Sequence, residues 1–370
     1  MLSSLSFIQP KAIHRQITDH VRGLILSGEL PLDSKLPSAE KLAMDWKSNP
    51  TTVQNALAVL VKEGLLVRTP KRGTFVRKRE EKLTCVGVYS GASIKDAPFL
   101  HAVNKALMDE LHQAGIEMDL WVDSRPEDQR HEPWQPLVKA AENRWFQAFI
   151  GTETYESLFR WQRKLPVPTA FLGAPTSVPN NVGHDMRQFV EISLRELARQ
   201  GCRSVGFIAP VLDASDSVNP EGYRVIAFDM LEHFMEIAGE LGLTVKNDWM
   251  RVFEHHPDKV RGQERFGYEQ FLNLWSQPEK PEGLLVHSDV VARGMVTAIR
   301  EKQVRVPEDL KLVLHKNESI DLFCPMPVTF VVASEREMAQ ALIEQVQKQF
   351  RGESCERISL PFQLATHTNP

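Results

Sequence analysis

The sequence predicts an α/β protein: a small helical head closed by a hairpin, joined to a two-lobed body of parallel sheets covered by helices. Three observations predict it. Residues 36–76 pack two capped helices and a glycine-closed hairpin into about forty positions. From Leu83 onward apolar runs of strand length alternate with helix-length amphipathic stretches, and that rhythm is completed twice. Charge divides at the same point: residues 1–82 carry 14 Lys+Arg against 8 Asp+Glu, a net +6, while the remainder nets −10. A basic head on an acidic body suits a chain whose head alone meets a polyanion.

Within the head, residues 11–27 read as an amphipathic helix with Ile13, Ile17, Val21, Leu24 and Ile25 on one face, ended by Gly28. Ser38 is placed to cap a second helix, with Leu42 and Ala43 turned inward. Asn49 caps a third. Pro50 stands at its first position, where a missing N–H costs nothing. Val53, Ala56, Leu57 and Leu60 form its buried stripe, and Thr51, Thr52, Gln54 and Asn55 its outward face. Such short or amide side chains reach phosphates and base edges without a bulky stem. Gly64 ends the helix. Leu65–Arg68 and Thr74–Lys78 pair around Pro70-Lys71-Arg72-Gly73. The pattern is a winged helix-turn-helix.

These residues resemble the DNA-binding domain of the GntR family of bacterial transcription regulators. The resemblance covers roughly residues 8–77, and Leu36-Pro37-Ser38, Thr51-Thr52-Val53 and Arg72-Gly73-Thr74-Phe75-Val76 carry it in order. It implies a double-stranded DNA operator as partner. The residues expected to bind it are Ser38, Thr51, Thr52, Gln54, Asn55, Lys71, Arg72 and Gly73. The family often has Arg where Pro50 and Gln54 stand, so adenine reading by Gln54 or Asn55 is expected in place of Arg–guanine contacts.

Residues 78–83 form a charged linker between a head over 1–77 and a body over 84–370. In the body, strands are expected at 84–89, 116–122, 146–150, 168–172, 181–185, 204–209, 249–253, 283–287, 310–314 and 328–332, with a last strand at 357–362. Helices are expected at 99–114, 136–142, 156–164, 189–200, 221–241, 264–275, 289–302 and 335–350. Ligands of such sheets sit at the carboxyl ends of strands. Trp121, Trp134 and Trp161 are read as core or lobe-edge packing.

This half resembles the effector domain of the LacI/GalR repressors, itself like the periplasmic sugar-binding proteins, over roughly residues 83–365. Gly201-Cys202-Arg203-Ser204-Val205-Gly206-Phe207-Ile208, Ser288-Asp289-Val290-Val291-Ala292-Arg293-Gly294 and Val306-Pro307-Glu308-Asp309-Leu310 carry the likeness. It implies an inter-lobe cleft for a sugar or sugar acid. Arg224 matches a cleft arginine, Ser288 a ligand-contacting Asn and Asn317 a family Asp; Ser90 and Asp213 are further effector candidates at strand ends. Asp289 is read as a helix cap, and Arg224, Ser288 and Asn317 together offer donors and acceptors without a fixed negative charge.

The four cysteines lie far apart with no Cys-x-x-Cys pair, which points away from a disulfide framework or zinc site and fits a reducing cytoplasm. There is no basic-then-apolar leader and no membrane-length apolar run. No Gly-x-Ser-x-Gly, phosphate loop or His-Glu-x-x-His occurs, and His255-His256 has no third ligand nearby, so neither an enzyme nor a cofactor is expected. The reading is a dimeric cytoplasmic transcription repressor. Its rivals are a solute-binding protein, an enzyme on a two-lobed scaffold, and a regulator without a ligand.

Overall fold

The computed structural model describes residues 13–26, 28–69, 72–76, 82–91, 98–126, 129–152, 156–173, 178–212, 226–253 and 260–367. It divides into two compact units, residues 1–82 and 83–370.

In the head, α1 (Ile13–Leu26), α2 (Ala39–Asp45) and α3 (Pro50–Lys62) precede the hairpin strands β1 (Leu66–Thr69) and β2 (Gly73–Val76). The Ser38 hydroxyl accepts from the Lys41 N–H (3.3 Å), and Asn49 Oδ1 accepts from the Thr51 N–H (2.8 Å), each satisfying a donor that a helix start would leave bare. Ile17, Val21, Leu42, Val53, Leu60 and Val76 close one core. The hairpin has a third member. Leu36 N–H donates to the Thr74 carbonyl and Val76 N–H to the Ser34 carbonyl (both 2.9 Å), so residues 33–36 flank β2 opposite β1.

The first lobe runs β3 (Cys85–Ser90), α4 (Pro98–Gln113), β4 (Glu117–Val122), α5 (Gln135–Glu142), β5 (Ala148–Gly151), α6 (Glu156–Gln162), β6 (Thr169–Leu172) and β7 (Asn181–His184). The second runs α7 (Met186–Arg199), β8 (Val205–Leu212), α8 (Ile226–Glu240), β9 (Met250–Phe253), α9 (Val260–Trp275), β10 (Gly283–Val286), α10 (Asp289–Glu301), β11 (Lys311–Asn317) and β12 (Val328–Ala333). The chain then crosses back. Helix α11 (Glu335–Phe350) packs on α4 and on β5–β7 of the first lobe, and β13 (Ile358–Leu360) pairs with β7. It crosses once more, and β14 (Gln363–His367) pairs with β12.

The sheet orders are therefore β13-β7-β6-β5-β3-β4 and β14-β12-β11-β10-β8-β9. Every pairing is parallel except that of β14, which runs antiparallel along the second sheet's edge. Helices cover both faces of each sheet, and four apolar clusters fill the layers between. Trp161 is buried and Trp121 and Trp134 pack at the edge of the first lobe's aromatic cluster, with Tyr89 6.4 Å from Trp134 and 6.2 Å from Trp161.

Two expectations need correction. The single last strand over 357–362 is two strands in two sheets, broken at Pro361, which has no N–H for a ladder. The lobes are also not two successive halves: three crossings, at residues 184–186, 333–335 and 360–363, interleave them. The helix expected over 221–241 is described only from Ile226.

Candidate nucleic-acid interface and effector site

On α3, Thr51, Gln54 and Asn55 are exposed and Thr52 is partly so, all on the side opposite Val53, Ala56, Leu57 and Leu60. Ser38 is exposed at the start of α2. Arg72 is exposed at the hairpin tip, its N–H closing the turn on the Thr69 carbonyl (3.0 Å). Lys71 lies outside the described residues. Gly73 has φ +114°, a conformation L residues rarely adopt, and a Cβ there would stand 2.8 Å from Cε of Lys35. Glycine at this position makes room for the Lys35 stem.

Two basic residues absent from the sequence-based set flank this surface. Lys35 bridges to Phe75 and lays its stem over Gly73. Arg68 is on the same face of β1 as the buried Leu66, and its guanidinium donates to the backbone carbonyl of Gln54 (3.1 Å), tying the hairpin to α3. Only β-strand alternation hinted at Arg68; nothing local in the sequence places Lys35 against Gly73.

In the second lobe the carboxyl ends of adjacent strands β10 and β11 bring Ser288, Asp289 and Asn317 together. Ser288 is the N-cap of α10, but its hydroxyl makes no cap bond and lies 3.4 Å from Gln263 Oε1. Asn317 is buried, and its Nδ2 donates to Asp289 Oδ2 (2.9 Å). Asp289 Oδ1 accepts from the Val290 N–H (2.9 Å). The expected set without negative charge is thus corrected: a buried carboxylate stands beside Asn317 and holds its amide, because two adjacent strand ends put both side chains on one edge. Asp289 is the first helical residue and not the cap.

In the first lobe Ser90 ends β3 and is 2% exposed. Beside it Asp123, buried after β4, accepts from the Tyr89 hydroxyl (2.8 Å) and from Arg125 Nη2 (2.7 Å). Burial pushes the Asp123 carboxyl up, but the bonds from Arg125 and Tyr89 outweigh it and hold the carboxyl below its ordinary range. The same strand-end rule that singled out Ser90 reaches Asp123 on the neighbouring strand. Arg224 and Asp213, with the 212–217 loop beyond Leu212, Ser93, Asp96 and His255-His256, lie outside the described residues.

A winged helix-turn-helix head and a two-lobed parallel α/β body, with polar groups at strand ends, define the class of protein. Residues 13–76 match the family described as bacterial regulatory proteins, gntR family, and residues 194–364 match the periplasmic binding protein-like domain. The chain joins a gntR-type head to a periplasmic-binding-protein-like body. Among curated proteins it is similar to the HTH-type transcriptional repressor PurR of Glaesserella parasuis serovar 5 (strain SH0165), 25% identical over 153 residues, 41% of this chain and 40% of that one. It is likewise similar to PurR of Pasteurella multocida (strain Pm70), 25% identical over 166 residues, 45% of each chain. The chain thus matches less than half the length of these relatives. Among solved structures, a LacI family transcription regulator from Clostridium acetobutylicum superposes with a TM-score of 0.60 at 19% identity, over 77% of this chain and 100% of that one. The Lac repressor dimer bound to operator and the anti-inducer ONPF gives 0.59 at 17% identity, over 78% and 95%. At these identities the likeness is one of fold.

Proposed function

We propose that this chain is a sequence-specific DNA-binding transcription repressor whose operator affinity is set by a small sugar-like effector. Residues 1–77 are the DNA-binding head, 78–83 a linker and 84–370 the effector-binding body. The observation that carries the reading is the exposed Thr51–Asn55 face of a capped α3, tied through Arg68 to a hairpin that presents Arg72. An amide face in a groove and cations on the backbone are the two halves of duplex recognition. The match to gntR-family regulators supports it, as do relatives named transcriptional repressors. Ser38, Thr51, Thr52, Lys71, Arg72 and Gly73 are assigned to positioning on phosphates, Gln54 and Asn55 to reading bases, and Lys35 and Arg68 join the cationic set.

The protein is proposed to work as a cytoplasmic homodimer, so its site is two-fold related. Selection of random duplexes by the full-length protein is expected to enrich one palindromic sequence; enrichment of none would sink the reading. The effector is proposed to lie between strand ends, held by Arg224, Ser288, Asn317, Ser90 and Asp213. Asp289 fixes the Asn317 amide beside that site. A thermal-shift screen of neutral sugars and sugar acids is expected to raise the melting temperature with one member, and Arg224→Ala to abolish that rise while leaving DNA binding intact. A full rise in the variant would remove Arg224 from the site.

A further inference from the structure

Three histidines far apart in sequence meet where the lobes join. His184 ends β7 at the first crossing, His287 follows β10, and His315 lies in β11. The His287 and His315 rings are 4.6 Å apart. Phe189, in the first turns of α7, lies 5.5 Å from His287 and 5.8 Å from His315. Phe362, at the third crossing, lies 4.9 Å from His184, 5.9 Å from His315 and 5.1 Å from Phe189. Phe99 of α4 closes the far side of His184 at 6.3 Å. The two crossings are stitched beside this cluster. Asp185 N–H donates to the Leu360 carbonyl (2.9 Å), and Phe362 N–H to Gln188 Oε1 (2.7 Å).

His184 Nε2, His287 Nδ1 and His315 Nδ1 are shielded from solvent and find no hydrogen-bond partner among the described residues. A protonated imidazole needs both ring N–H groups satisfied and its charge compensated. The surroundings offer little of either. Among the described residues Asp289 is the one acid whose field reaches His287, and its oxygens are engaged by Asn317 and the Val290 N–H. Asp185 caps α7 through the Gln188 N–H, Arg187 pairs with Glu236, Glu191 with Arg195, and Lys316 lies over the Phe330 ring. At the second crossing Glu335 is bonded by Ser319, and Glu318 by Ser334. The third crossing, Leu360–Gln363, carries no charge. The three rings also oppose one another's charging.

We propose that the joint between the two lobes is proton-sensitive: the lobe arrangement described here requires His184, His287 and His315 all neutral, and protons favour an arrangement in which these rings are hydrated and the crossings loosen. The inference concerns the body alone and stands whether or not the head binds DNA. Burial holds each imidazole below its ordinary range, His184 at about 4 and His315 at about 3. A hydrated imidazole titrates near pH 6.5, so at pH 5.5 each favours the loosened arrangement by roughly tenfold, and three together by on the order of a thousandfold.

Hydrogen–deuterium exchange of the full-length protein at pH 7.5 and 5.5, corrected for intrinsic rates, tests this. Peptides spanning 184–189 and 358–364 should lose at least tenfold in protection at pH 5.5 and be less protected there than the buried α10 segment 291–299. His287→Phe, which keeps a ring but cannot titrate, should remove about tenfold of that loss, and His315→Phe likewise. Equal crossing protection at the two pH values in the wild type would overturn the proposal. So would crossing peptides as well protected as α10 at pH 5.5, which signals opening by global unfolding alone, or an undiminished loss in both variants.

Discussion

At the scale of residues, the two amides on α3 are proposed to carry the specificity. Gln54 and Asn55 are exposed, one helical step apart, and Arg68 holds the Gln54 backbone in register with the hairpin. An amide pairs bidentately with adenine, at about 1–3 kcal/mol of discrimination. Gln54→Ala or Asn55→Ala is therefore expected to relax the selected sequence at one base pair per half-site; unaltered profiles for both would contradict the assignment. These residues were legible because caps and a helical period place them locally: Asn49, Pro50 and the Val53–Leu60 stripe leave one face for them. Lys35 was not legible, because its place over Gly73 depends on a strand pairing across some forty residues. The Asp289–Asn317 bond was missed for the same reason: each residue was read singly at its strand end, and only the β10–β11 register brings them within 2.9 Å.

At the scale of elements, helix starts and helix contacts decide stability. The Asn49 cap satisfies the Thr51 N–H, so Asn49→Ala should cost about 1 kcal/mol in chemical denaturation, with Asn49→Asp near neutral. The α9–α10 contact is closer. A Cβ at Gly294 would stand 1.8 Å from the Glu264 carbonyl oxygen, and one at Gly267 2.0 Å from that of Val291. These are backbone atoms, so the helices must separate to admit it. Gly294→Ala should cost about 3 kcal/mol or more, whereas Gly239→Ala, on helix α8 with open space around it, should stabilise by up to about 1 kcal/mol. A stable Gly294→Ala protein would refute that contact. Most elements were readable from period and length, since parallel strands buried on both faces appear as short apolar runs. The final segment was not, because residues 357–362 read as one strand, and only Pro361 marks the change of sheet.

At the scale of the whole molecule, the interleaved lobes were illegible in the sequence. Residues 333–335 look like any strand-to-helix turn, and nothing local says that α11 returns to the first lobe. The histidines gathered at these crossings give the fold a pH signature. In the unfolded chain they titrate near 6.5, while His184 and His315 in the fold titrate at about 4 and about 3, and His287 well below its ordinary value. Below pH 6.5 the unfolded chain binds more protons. Stability is then full above that pH and falls as pH drops toward 3, by up to about 1.4 kcal/mol per pH unit for each imidazole. Urea unfolding at pH 7.5 and 5.5 should show this loss, reduced in His315→Phe. Equal pH dependence in the two proteins would remove His315 from the account.

The basic head is proposed to grip duplex DNA with its hairpin. The salt dependence of binding between the full-length protein and the duplex it selects tests this most directly. Each phosphate neutralised adds about 0.9 to the slope of log affinity against log salt. Wild-type protein should show a steep slope, and Arg72→Gln should bind more weakly with a slope lower by roughly one. An unchanged slope and affinity in that variant would contradict the placement of Arg72 on the DNA.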